Sequence, residues 1–98
     1  MGNFSELIKG EQPVLVDFFA TWCGPCKTMS PILEDLAHRV GEKARIIKID
    51  IDKNPHAASA YQVQSVPTLM IFKKGEIKWR QSGVVGADQL QKIINQYV

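Results

Sequence analysis

Two cysteines, Cys23 and Cys26, stand two residues apart and are the only ones in the chain. At that spacing they can alternate between a dithiol and an intrachain disulfide, and the chemistry such a pair performs is thiol–disulfide exchange. A structural clamp is a poor use for them, because the stabilisation a disulfide provides grows with the loop it closes. Zinc requires four protein ligands at a structural site or three plus water at a catalytic one. Beyond the cysteines the usual ligands are only His38 and His56, which fall on different elements and read as solvated surface groups. A zinc half-site and an inert pair of core thiols therefore stand as the weaker readings. The third residue with chemical potential is Asp17, set within the apolar run Val14 to Ala20. A carboxylate in a buried strand is costly unless paired or protonated, and desolvation raises its pKa toward the range of a general acid or base.

The elements around these residues determine what they can do. Pro13 to Ala20 reads as a strand, apolar on both sides of Asp17, the pattern of a central strand covered on both faces. Cys23 to Val40 reads as a long helix whose stripe is Met29, Ile32, Leu33, Leu36 and Val40, with a kink expected at Pro31 and a stop at Gly41. Cys23 thus falls at a helix N-terminus, where unpaired amides and the macrodipole favour a thiolate, the nucleophile of disulfide exchange. Cys26 lies one turn in, close enough to attack a mixed disulfide on Cys23. Gly24 and Pro25 are compact and leave room for a substrate backbone.

The remaining punctuation gives the rest of the chain. A short amphipathic helix is predicted over Asn3 to Lys9, and a second strand over Arg45 to Ile51. A short helix to about Tyr61 opens on Asn54 as N-cap with Pro55 in its first turn. Strands Thr68 to Lys73 and Glu76 to Ser82 meet in a hairpin at Lys74-Gly75, and a last helix runs from Ala87 to Tyr97. Trp79 reads as surface or edge packing. The order α-β-α-β-α-β-β-α opens with a parallel βαβ unit and ends with an antiparallel hairpin. The fold class is α/β, with a mixed sheet of about four strands flanked by helices on both faces.

The bulk composition excludes several classes. A chain of 98 residues is read as one domain, spanning 1–98, long enough for a core of its own. With 45% apolar and 22% charged residues it is an ordinary globular composition. The formal net charge is +2 and the cations are scattered, which argues against a nucleic-acid partner. The apolar run of the first strand is far shorter than the roughly 20 residues a membrane span needs. The stretch Met1 to Lys9 has neither the basic start nor the apolar centre of a signal peptide, so a cytoplasmic location is expected.

Trp22-Cys23-Gly24-Pro25-Cys26-Lys27 resembles the active-site motif of the thioredoxin family. Val16-Asp17-Phe18-Phe19-Ala20 is similar to the strand that precedes it there, and Val66-Pro67-Thr68 to the family's cis-proline loop. The resemblance covers the chain from about Phe4 to Tyr97 and implies the thioredoxin fold, with the family's additional first strand absent. It implies that Cys23 is the nucleophile, that Cys26 resolves the mixed disulfide, that Asp17 assists proton transfer at the second cysteine, and that Lys48 lies near that acid. A purely structural salt bridge between Asp17 and Lys48 is the competing reading. Pro67 is implied to be cis and to face the cysteines, leaving the Val66 backbone free to pair with an extended substrate. Trp22, Gly24, Pro25, Val66, Gly83 and Val84 are similar to the family's flat apolar docking surface. Phe19 stands where many members have a tryptophan.

The function these features imply is reduction of disulfides in client proteins. Electrons would come from NADPH through a flavoprotein thioredoxin reductase, and the chain itself, which lacks a Gly-rich dinucleotide loop, would hold no bound cofactor. A monomer fits a docking surface that must stay open. Two alternatives remain: an exported thiol oxidant or isomerase on the same fold, and a non-catalytic binding module.

Overall fold

In the computed structural model, which describes residues 4–98, strand β1 (Val14–Phe19) occupies the interior of the sheet and has no face in water. Val14, Leu15, Val16, Asp17 and Phe18 are all buried. Such a strand must be covered on both sides, and its two faces define the two cores. Leu15 projects into a cluster with Met29, Leu33, Leu36, Leu69, Ile71, Leu90 and Ile94. Val14, Val16 and Phe18 project the other way, against Ile8, Met70 and Phe72. Phe4 and Tyr61 close that second core through edge-on ring contacts with each other and with Phe72, at centroid distances of 5.1–5.6 Å.

Helix α1 (Phe4–Leu7) precedes β1, and Asn3, where the sequence places its start, lies outside the described residues. After β1 the chain enters helix α2 (Gly24–Val40), which runs through Pro31 and ends at Gly41 with φ +55°. One 3₁₀ turn then leads into β2 (Arg45–Asp50). Strand β2 pairs with β1 in parallel, placing Asp17 opposite Lys48. Helix α3 (Pro55–Ala60) opens on Pro55 directly after Asn54, as expected. The Asn54 amide, however, does not cap α3; its Nδ2 donates to the Asp50 carbonyl at 3.0 Å.

Strands β3 (Thr68–Lys73) and β4 (Glu76–Ser82) form the expected hairpin. Its turn residues Lys74 and Gly75 both have positive φ, +55° and +80°, the handedness that matches the twist of the flanking strands. Helix α4 (Ala87–Asn95) then packs on α2. The four strands lie in the order β2-β1-β3-β4, with β3 antiparallel to both its neighbours.

The β3–β4 ladder contains one irregularity with consequences for the site. Phe72 pairs with Ile77 but Ile71 pairs with Trp79, so Lys78 is an inserted residue. Such a bulge reverses the faces of every residue beyond it. Trp79 is thereby delivered to the α2–α4 core, where it packs partly buried from the edge strand, the edge-packing side of the sequence expectation. Arg80, opposite Met70, emerges on the α3 side.

The α2–α4 contact is the larger of the two cores and contains fully buried Leu90. Truncation there removes the transfer energy of the side chain and leaves a cavity. Leu90→Ala is expected to lower the unfolding free energy by about 3 kcal/mol, read as a shift in the urea midpoint without a change in slope.

Candidate functional site

The end of β1 and the start of α2 place the two cysteines. Cys23 has extended backbone geometry (φ −91°, ψ 116°) and serves as the N-cap of α2, with Gly24, Pro25 and Cys26 forming the first turn. A capping residue offers a side-chain acceptor to the orphan amides of that turn, a task done most often by Ser, Thr, Asp or Asn. Here the acceptor is sulfur: the Cys26 amide donates to Cys23 Sγ at 3.1 Å. Pro25 lacks an amide and sits where one is not needed. The helix end thus presents its positive pole and a direct donor to Cys23, both of which favour the thiolate over the thiol.

Cys23 and Cys26 are joined as a disulfide, with Cα atoms 5.3 Å apart. Both are buried at about 4% exposure, packed with Ala20 and against Phe19, Ile51 and Val66. The Val66–Pro67 peptide bond is cis, and the Val66 carbonyl oxygen lies 3.6 Å from Cys23 Sγ. Around this point Trp22 (68% exposed), Gly24, Pro25 and Val84 are exposed, Val66 and Gly83 are half-buried, and Pro67 is buried. The Trp22 indole is fixed by donating Nε1–H to Asp52 at 2.9 Å.

Asp17 is fully buried, and neither carboxylate oxygen has a hydrogen-bond partner among the described residues. Burial pushes its pKa up to about 6, opposed by the positive charge of Lys48. Strand alternation puts Asp17 on the same face as Leu15, toward α2. No ion pair joins it to Lys48 within 4.0 Å, so the structural salt bridge is not the arrangement found. The Lys48 ammonium instead donates to Ser30 Oγ at 2.9 Å and lies 4.9 Å from the centroid of the Phe19 ring. A Phe at position 19 therefore keeps a π face for the lysine without adding an N–H that would need a partner. Lys48 and Cys26 also line one cavity of about 240 Å³, together with Phe19, Ala20, Thr21, Lys27 and Ser30.

The sequence reading did not single out Ser30, Asp52 or Arg80. Ser30 falls one helical turn after Cys26, a spacing that could have pointed to it. Asp52 and Arg80 reach their partners across the fold, and no local pattern marks them.

A redox-active cysteine pair capping a helix that follows a buried central strand defines a thiol–disulfide oxidoreductase on an α/β scaffold. The family model for thioredoxin matches residues 1–96. The chain is 47% identical over 97 residues to a thioredoxin-like protein of Synechocystis sp., covering 98% of this chain and 92% of that one. It is 43% identical over 88 residues to thioredoxin of Bacillus subtilis, covering 90% and 85% respectively. Among solved structures, a point mutant of thioredoxin from Halobacterium salinarum NRC-1 superposes with a TM-score of 0.87 at 38% identity, covering 99% of this chain and 86% of that one. The chain belongs to the thioredoxin family.

The perturbed carboxyl of Asp17 makes stability depend on pH. Between pH 3.8 and about 6 the folded protein holds a proton that the unfolded chain releases. The raised pKa therefore contributes stability below that window, and the contribution is lost as pH rises through the folded value. Asp17→Asn removes the ionisation. Its gain in unfolding free energy over the parent is expected to be about 3 kcal/mol larger at pH 8 than at pH 3.5. Urea titrations of both oxidised proteins at the two pH values measure it; an equal difference at both would show that Asp17 ionises as easily folded as unfolded.

Proposed function

We propose that this chain reduces disulfides in client proteins through the reversible Cys23–Cys26 pair. The observation that carries the reading is the sulfur cap: the residue placed to attack is also the one whose anion the helix terminus stabilises. The Cys23 thiolate attacks one sulfur of the substrate disulfide, forming a mixed disulfide and expelling the other substrate sulfur, which takes up a proton. Cys26 then loses its proton and attacks Cys23 Sγ. The intrachain disulfide forms, and the second substrate sulfur leaves as a thiol. Two electrons and two protons pass to the substrate, and the dithiol is oxidised.

Asp17 is the base we assign to the Cys26 proton. A carboxyl with a pKa of about 6 holds and releases a proton near neutrality. Lys48, which faces the cavity beside Cys26 and lowers the Asp17 pKa, tunes that exchange. The exposed Trp22, Gly24, Pro25 and Val84 and the Val66 backbone receive the substrate chain as an added strand would be received. Renewed reducing power comes from NADPH through a flavoprotein thioredoxin reductase, with no cofactor held by this chain. It acts as a single-domain monomer in the cytoplasm; among the described residues no helix is long and apolar enough to cross a membrane.

Dithiothreitol-driven reduction of insulin tests the reading, by the turbidity of the released B chain. The parent protein is expected to accelerate precipitation, and Cys23→Ser and Cys26→Ser are each expected to reduce it to the uncatalysed rate. An inactive parent with both thiols confirmed free would refute reductase chemistry and favour a binding module.

A further inference from the structure

The segment that brings Val66 to Cys23 begins at the C-terminus of α3, and its conformation there is unusual. Gln62 has φ +53°, a left-handed conformation that crowds the Cβ of any residue with a side chain against the following carbonyl. The two hydrogen bonds that close this end, Gln62 N–H to the Ser59 carbonyl at 3.1 Å and Val63 N–H to the Ala58 carbonyl at 2.9 Å, form a Schellman cap. Glycine usually holds the left-handed position in such a cap, and here glutamine does. The next two carbonyls, of Tyr61 and Gln62, face outward from the helix end. Both are taken by one side chain from a distant strand: Arg80 Nη1 donates to the Tyr61 carbonyl, and Nη2 to the Gln62 carbonyl at 2.7 Å.

The end of β4, with the first residue of β3, fixes the far end of the segment. Ser65 Oγ donates to Ser82 Oγ at 3.2 Å, the Thr68 hydroxyl donates to the Ser65 carbonyl at 2.6 Å, and Gly83 N–H donates to the Pro67 carbonyl at 2.8 Å. Residues 62–66 are thus suspended between these two anchors. Val66, whose carbonyl lies 3.6 Å from Cys23 Sγ, hangs between them.

We infer that Arg80 is a positioning residue for protein substrates: its two-pronged hold on the Tyr61 and Gln62 carbonyls sets the path of residues 62–66 and hence the Val66 backbone with which a substrate strand pairs. The inference rests on the reductase reading of the cysteine pair. Arg80 touches neither the sulfurs nor the substrate. A guanidinium suits the task because its planar fork spans two carbonyls and stays charged across the physiological pH range.

The test uses the full chain with Arg80→Met and Arg80→Lys, alongside Arg80→Met combined with Gln62→Gly. Insulin supplies a peptide backbone to pair with Val66. A small aromatic disulfide, 5,5′-dithiobis(2-nitrobenzoate), supplies none. For Arg80→Met the KM for insulin is expected to rise about fivefold with kcat little changed, equivalent to about 1 kcal/mol of substrate binding in total. The rate with the small disulfide should stay within twofold. Arg80→Lys should fall between parent and Arg80→Met, because one prong survives. Gln62→Gly should recover most of the loss, because glycine holds the left-handed turn unaided. Equal losses on both substrates, or an unchanged KM for insulin, would overturn the inference.

Hydrogen exchange separates this from the reductase reading. If the parent fails to reduce insulin at all, that reading falls. The amides of residues 63–66 then decide the clamp alone. Selective acceleration in Arg80→Met, with β1 unchanged, upholds it, and unchanged exchange refutes it.

Discussion

The structure depends on the desolvation of β1. A six-residue strand with no wet face requires a sheet neighbour on each edge and a layer of helix on each side. The βαβ crossover through α2 supplies one neighbour and one layer. The β3–β4 hairpin supplies the other neighbour, and Phe4 and Ile8 with Tyr61 and Val63, just after α3, cover the opposite face. Once β1 is enclosed in this way, its end can deliver the chain in only one direction, into the first turn of α2. The cysteines stand at that junction, where a helix terminus meets the protein surface.

The same desolvation charges the site. Asp17 shares the strand with Val16 and Phe18 and has no hydrogen-bond partner among the described residues, so its anion is the costly form. A buried carboxyl without a partner destabilises the folded state at neutral pH, which is a poor feature for a scaffold and a useful one for a proton relay. Lys48 moderates the cost without cancelling it. Its ammonium is directed to Ser30 and the Phe19 ring, so its field reaches Asp17 while no direct pair pins the carboxylate in the ionised state.

The sulfur cap and the Val66 loop show two ways of placing a group without a dedicated ligand. Cys23 satisfies an orphan amide that an ordinary cap would have satisfied, so stabilising the helix and stabilising the thiolate are one interaction. The loop is placed from outside, by the Ser82 hydroxyl and the Arg80 guanidinium on β4, the Thr68 hydroxyl on β3 and the Gly83 amide. In both cases the backbone's unmet hydrogen-bonding groups determine where the functional atoms lie.

Local rules sufficed for much of this. The apolar run around Asp17 identified the central strand, since only a doubly covered strand tolerates it. The spacing of Met29, Leu33, Leu36 and Val40 gave the long helix, and Lys74-Gly75 gave the hairpin. With those elements in place, Cys23 had to sit at a helix start, so the redox centre was legible in the sequence. The partners made across the fold were not. Lys48 was expected near Asp17, yet its bond to Ser30 depends on how α2 lies over the sheet. The Trp22 bond to Asp52 joins two loops brought together by the parallel pairing of β1 and β2. Trp79 and Arg80 depended on the bulge at Lys78, because a single inserted residue exchanges the two faces of a strand and no periodicity in β4 announces it. Sequence by itself determined where the cysteine pair and the buried carboxyl fall and which element each belongs to, since those follow from short-range sterics and from the need to bury apolar side chains. Tertiary structure alone decided which side chains hold the site in place, because hydrogen bonds between distant segments depend on strand register and helix packing that no local pattern encodes.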